Sequence, residues 1–156
     1  MNLNQEKSRR DFLLKTPLVL YGTFMASKYL SKNFTVDEFK CKGTGRCEVV
    51  ETFIERLQLI RDEYGRPIFV TSGYRAPEYK LKLQQQGKTK TGSDGPHTTG
   101  RAVDSAVAGA DSHLIIQLAT HHGMTGIGVS QKGKHEKRFI HLDDLTGSNR
   151  PWTWSY

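Results

Sequence analysis

Three residues carry the types and spacing for chemistry: His97, Asp104 and His141. His97 and Asp104 lie seven positions apart in GPHTTGRAVD, and His141 lies in RFIHLDD. AVDSAV reads as a strand, so period-2 alternation puts Ala102, Asp104 and Ala106 on one face and Val103 and Val107 on the other. The Asp104 face is lined by small residues, which leaves space above it. RFIHLDD also alternates: Phe139, His141 and Asp143 share a face, while Ile140 and Leu142 point the opposite way. Each strand therefore has an apolar face for a core and a face bearing ionisable groups. With the polar faces aligned in one sheet, Asp104 meets His141, and His97 reaches both from the preceding loop. Two histidines and an aspartate make a three-ligand site with an open fourth position, the pattern of catalytic rather than structural zinc. Taken singly, each of the three also reads as a buried polar residue with its hydrogen bonds satisfied.

The elements that must hold these residues follow from pattern. FTVDEF reads as a short extended segment, with Thr35 capping a turn over Asp37 and Glu38. VVETFIERLQLIRDEYG places Val50, Phe53, Ile54, Leu57, Ile60 and Tyr64 at helical spacing, and Gly65 and Pro67 stop the helix. IFVTSGYR is β-branched and aromatic, and predicts a strand running into a turn. APEYKLKLQQQG predicts a short helix with Pro77 in its first turn. KTKTGSDGPHTTG is a polar, glycine-rich loop without core residues. Asp111 is placed to cap a helix through SHLIIQLATHH, and His113, His121 and His122 read as helix-surface residues. GMTGIGVS and RFIHLDD predict strands, and the tail GSNRPWTWSY folds back to cover the sheet or line a groove. The sum is an α+β fold with a small, mainly antiparallel sheet and flanking helices.

The chain has 156 residues, suited to one domain, and a charged fraction of 25% that reads as soluble and globular. Its formal net charge of +7 favours polyanions. The basic residues are spread out, and there is no zinc-finger spacing, basic zipper or aromatic RNA-binding signature, which argues against nucleic acid. Cys41 and Cys47, in CKGTGRC, are either an oxidised pair in an exported protein or two free thiols. At the N-terminus, SRRDFLLK followed by PLVLYGTFMA resembles a twin-arginine export signal, the alternative being an amphipathic helix packed on the domain. The apolar run is too short to span a bilayer. The division is residues 1–30 as signal or N-terminal helix and residues 31–156 as the functional domain.

The ordered set TSGYR, His-x-x-Gly-x-Ala-x-Asp and FIHLD resembles the zinc D-Ala-D-Ala carboxypeptidase family, which includes L-alanyl-D-glutamate endopeptidases of phages and bacteria. The likeness runs from about Phe34 to Trp152. It implies a hedgehog-like α+β fold, with zinc held by His97, Asp104 and His141. Zinc in such a site acidifies a water and polarises the scissile carbonyl, and a carboxylate must take and return the proton. Some members place an acid three residues before the second histidine, where this chain has Arg138. That leaves Asp143 as base, or as a residue orienting a ligand, with Glu136 and His135 as alternatives. Arg75 matches the family's arginine, whose planar fork holds a substrate carboxylate or the developing oxyanion. Tyr74 and Trp152 are expected substrate contacts, with Trp154 as a further cleft wall. Where members usually carry a serine two residues before the first histidine this chain has Gly95, and Ser93 is the nearest serine.

These readings make the chain a monomeric zinc peptidase that cuts peptidoglycan stem peptides at a bond involving a D-amino acid. The alternative is a non-catalytic relative that binds wall peptides. The expected location is the periplasm or cell wall, the alternative a phage lysis enzyme.

Overall fold

Alternation in the strands and 3.6-residue spacing in the helices divide the chain into two layers. The computed structural model describes residues 28–89, 95–147 and 149–156. The export signal expected within residues 1–30 lies almost wholly outside that range, as does Ser93. The elements run α1 (Val36–Phe39), α2 (Glu51–Tyr64), β1 (Phe69–Ser72), α3 (Pro77–Gln85), β2 (Ala102–Ala106), α4 (Ala110–His121), β3 (Gly126–Ser130), β4 (Phe139–Asp143) and β5 (Trp152–Ser155). The five strands form one sheet in the order β1-β2-β4-β3-β5. All pairs are antiparallel except β3 with β5, which is parallel. The fold is α+β with a small, mostly antiparallel sheet, as the sequence predicts.

The apolar stripe of α2 buries Phe53, Ile54, Leu57 and Ile60. They meet Ile115 and Ala119 of α4, and the core faces of the strands: Val103, Ile127, Ile140 and Leu142. Val103, Ile140 and Leu142 are fully buried, each contributing about 1.5–3 kcal/mol on burial. Their burial fixes the register of β2 and β4, because a one-residue slip would drive His141 into the core and expose both neighbours. In that register Asp104 pairs directly with His141. Helices α2 and α4 thus cover one face of the sheet and leave the other to the ionisable residues.

Three local expectations change. FTVDEF is not extended: Val36–Phe39 is a single helical turn, closed by a capping box in which Thr35 and Glu38 satisfy each other's backbone N–H groups. The signal, Thr-x-x-Glu, is present in the sequence. Asp111 does not cap α4, whose N-cap is Gly109; it lies in the first turn and pairs with the Arg66 guanidinium. The polar loop does contribute to the interior: Pro96–Thr99 form one 3₁₀ turn, and His97 within it is buried. The tail folds back as expected, as edge strand β5. Cys41 and Cys47 are free thiols, and the Cys41 sulfur accepts a hydrogen bond from the Ala76 N–H at 3.3 Å. Among the described residues no helix is long and apolar enough to cross a membrane.

Candidate metal centre

His97, Asp104 and His141 come together on the sheet face away from α2 and α4. One donor atom from each lies within 4.8 Å of the others. Asp104 Oδ1 is 3.2 Å from His97 Nε2 and 2.9 Å from His141 Nδ1. The two imidazole rings stand edge to face, with centroids 5.0 Å apart.

The outer nitrogens decide what the inner ones present. His97 Nδ1 is 2.7 Å from the Gly73 carbonyl, which can only accept, so Nδ1 carries the proton and Nε2 offers a lone pair. His141 Nε2 is 3.1 Å from Asp143 Oδ2. Asp143 is gripped by Arg150, with Nε on Oδ1 at 2.9 Å and Nη2 on Oδ2 at 2.8 Å. Burial alone would raise the Asp143 pKa, but hydrogen bonds from His141 and Arg150 bring it down to about 2. An ionised Asp143 holds the proton of His141 on Nε2, leaving Nδ1 as a second inward lone pair. Two lone pairs then face a carboxylate oxygen, an arrangement that repels itself unless a cation or a proton lies between. Donor pairs in a tetrahedral zinc site stand roughly 3.3 Å apart, close to the spacings observed. The donor set therefore fits zinc.

The electrostatics agree. Burial pushes the His97 pKa down, favouring the neutral ligand form. Burial opposes charge on Asp104, yet where protons rather than a metal fill the gap, hydrogen bonds from His141 and His97 hold its carboxyl well below the usual range. Burial also opposes charge on His141, but Asp104 and Asp143 outweigh it and raise its pKa, so a proton is the cation's competitor there.

Arg75 leaves β1 at the same end of the sheet. Its Nη2 donates to Asp104 Oδ2 at 2.7 Å and its Nε to the Ser72 hydroxyl at 3.0 Å. It holds one carboxylate oxygen and turns the other toward the histidines. The centre lies at the base of a cleft of about 960 Å³ whose lining includes Arg75, Lys80, Lys88 and Arg150. Asp104 is the only acidic side chain among the described residues lining it. Trp154 packs its ring 5.2 Å from that of His141, and Trp152, 56% exposed, stands at the rim. Close packing depends on two glycines of β3. A Cβ at Gly128 would fall 2.7 Å from the Trp154 ring, and one at Gly126 would collide with the Asp143 carboxylate.

Several placements differ from expectation. Asp143 shares a face with His141 but lies behind it, fully buried, with both oxygens occupied by His141, Arg150 and the Leu145 N–H. That geometry suits orienting His141 and not collecting a proton from the cleft. Glu136 and His135 lie in an exposed 3₁₀ turn, His135–Lys137, and do not line the cleft. Tyr74 is a core residue, not a cleft contact: it is 3% exposed, packs with Cys41 and Ala76, and donates its hydroxyl to Glu48 at 2.9 Å. A Cβ at position 95 would meet the Lys80 ammonium, the movable end of a long side chain. Arg150 was not foreseen; it lies in an irregular tail segment where no periodicity points to Asp143.

The sequence model of the family described as Peptidase M15 matches residues 32–143, a span that includes all three ligand candidates. No curated protein matches the chain. With a match over well more than half its length, the chain belongs to the peptidase M15 family, a family of zinc peptidases.

Proposed function

We propose that the protein is a zinc-dependent peptidase that cuts peptidoglycan stem peptides at a bond involving a D-amino acid. The observation that carries this reading is the convergence of two histidine lone pairs and one Asp104 oxygen at the base of an open, basic cleft. Zinc held there would supply Lewis acidity toward a water and a carbonyl. The chain's own residues do the rest. Asp143 and Arg150 fix the His141 ring, and the Gly73 carbonyl fixes that of His97. Arg75 holds Asp104 and, with Lys80, Lys88 and Arg150, gives the cleft a positive field that attracts the carboxylates of a wall peptide. Trp154 and Trp152 supply apolar walls for the peptide backbone.

One observation favours a second reading. With Asp104 engaged by Arg75 and no other acidic side chain among the described lining residues, the cleft has no evident proton acceptor. A relative that binds wall peptides without cutting them fits that lining as well. In either case we place the protein outside the cytoplasm, in the periplasm or wall, on the strength of the SRRDFLLK segment, the alternative being a phage lysis enzyme; it acts as a monomer and without nucleic acid.

The deciding experiment is digestion of peptidoglycan by the purified protein, with and without chelator and beside His141→Ala, the fragments read by mass spectrometry. Cleavage that needs both the metal and His141 establishes the peptidase, and the fragment masses name the bond. An equivalent of zinc that His141→Ala removes, with wall peptide bound and not cut, establishes the binding protein. Failure of the cleft to hold a metal overturns both.

A further inference from the structure

A second group of metal-type side chains lies in the helical layer, on the other side of the sheet from the cleft. Glu63 is the penultimate residue of α2, His121 the last residue of α4, and His122 the C-cap of α4. One donor atom from each lies within 4.8 Å of the others. The two rings stand edge to face with centroids 4.9 Å apart and planes at 77°. That is nearly the arrangement of His97 and His141, at 5.0 Å and 68°.

The decisive detail is at His122. Its Nε2 is 3.2 Å from Glu63 Oε1, close enough for a hydrogen bond, yet Nε2 is buried and has no hydrogen-bond partner. The spacing is right and the direction is wrong. An ion lying between the two would satisfy both atoms without a direct hydrogen bond between them. The His122 side chain is only 13% exposed, so solvent is poorly placed to satisfy the nitrogen, and orphaned buried polar atoms call for an explanation. Glu63 and His121 are exposed, which gives an ion a way in.

The surroundings bear on charge. The C-terminus of α4 presents its carbonyl ends here, a partial negative charge that favours a cation. Arg56, from α2, donates Nη1 to the carbonyls of His122 and Gly123 at 3.3 and 3.0 Å, and its Nε lies 3.6 Å from Asp144. Its positive charge is thus turned toward the backbone and Asp144. Two imidazole nitrogens and one carboxylate oxygen suit zinc, copper or nickel, and not magnesium or calcium, which take oxygen ligands.

We propose that Glu63, His121 and His122 form a second site for a divalent transition-metal ion, zinc by ligand preference, which ties the C-terminal end of α2 to that of α4. The ion would act as a staple on the helical layer and take no part in the chemistry of the cleft. The site stands whether or not the cleft cuts a peptide.

The test uses the full chain without an affinity tag, titrated with Zn²⁺ by calorimetry, its metal content measured after dialysis. Wild type is expected to hold about two equivalents, and both His141→Ala and the double variant Glu63→Gln/His121→Ala about one. Combining all three substitutions should abolish binding. Zinc should raise the melting temperature of His141→Ala and leave that of the triple variant unmoved. Glu63 and His121 are exposed, so the double variant keeps its fold, which circular dichroism checks, and its loss of one equivalent decides the matter even if His141→Ala folds poorly. A single equivalent in wild type that His141→Ala abolishes would overturn the proposal. So would a double variant that still holds two.

Discussion

Replacing Asp143 by asparagine separates two roles that the sequence alone leaves open. Four donors converge on its two oxygens: His141 Nε2 and Arg150 Nη2 on Oδ2, Arg150 Nε and the Leu145 N–H on Oδ1. An amide keeps one oxygen and turns the other into a donor. Whichever way it is turned, two of the four donors then face an N–H₂. If the N–H₂ faces His141, the imidazole proton moves to Nδ1 and blocks the ligand position. Two costs follow. Arg150, only 9% exposed in its side chain, loses its counter-charge. Breaking a buried pair costs about 3–5 kcal/mol, and the low end applies because Arg150 lines the cleft and can turn toward solvent. Zinc affinity should fall about 10–100-fold, as for loss of residues that orient metal ligands, or about 1.4–2.7 kcal/mol. The assay is competition against a fluorescent zinc chelator, run beside turnover measured over a zinc titration. Saturating zinc should return kcat to within a few-fold of wild type. A general base behaves otherwise: its loss costs about 10²–10⁴ in rate at any metal concentration. Unchanged zinc affinity with a collapsed kcat would refute the orienting role and restore Asp143 as the proton acceptor.

Arg75→Lys should lower zinc affinity or turnover about tenfold or more while leaving the melting temperature nearly unchanged, because a single ammonium nitrogen cannot stand where both Nε and Nη2 of the guanidinium fork stand to reach Ser72 and Asp104 Oδ2; metal titration and thermal melting check it together. Gly128→Ala should destabilise by about 1–3 kcal/mol through overpacking and push the Trp154 indole off His141, read as a shift in tryptophan emission that zinc no longer modulates. Leu142→Ala should cost about 2–5 kcal/mol in urea denaturation, since Leu142 is fully buried in the core that fixes the strand register.

What was legible in the sequence follows the range of each interaction. The pairing of Asp104 with His141 is readable because strands alternate with period 2: Ile140 and Leu142 must go inward, so His141 must go outward, and Val103 does the same for Asp104. His97 is readable as a candidate only through its nearness to Asp104. Its burial depends on the Gly73 carbonyl, 24 positions away, and no local pattern announces that bond. Tyr74 shows the opposite failure. It adjoins Arg75 in TSGYR, and neighbours in an extended segment take opposite sides, so the arginine that reaches the metal centre sends the tyrosine into the core. Asp143 has the right face but the wrong depth. Period 2 says which side a residue takes, not what stands above it, and the Arg150 guanidinium that closes over it comes from a tail without periodicity. Strand alternation therefore yields the ligands, while the groups that orient them come from turns and tails and must be read from the folded chain. The same limit hid Glu63. On α2 it is one more exposed acid, and only the packing of α2 against α4 brings it to the unpartnered nitrogen of His122.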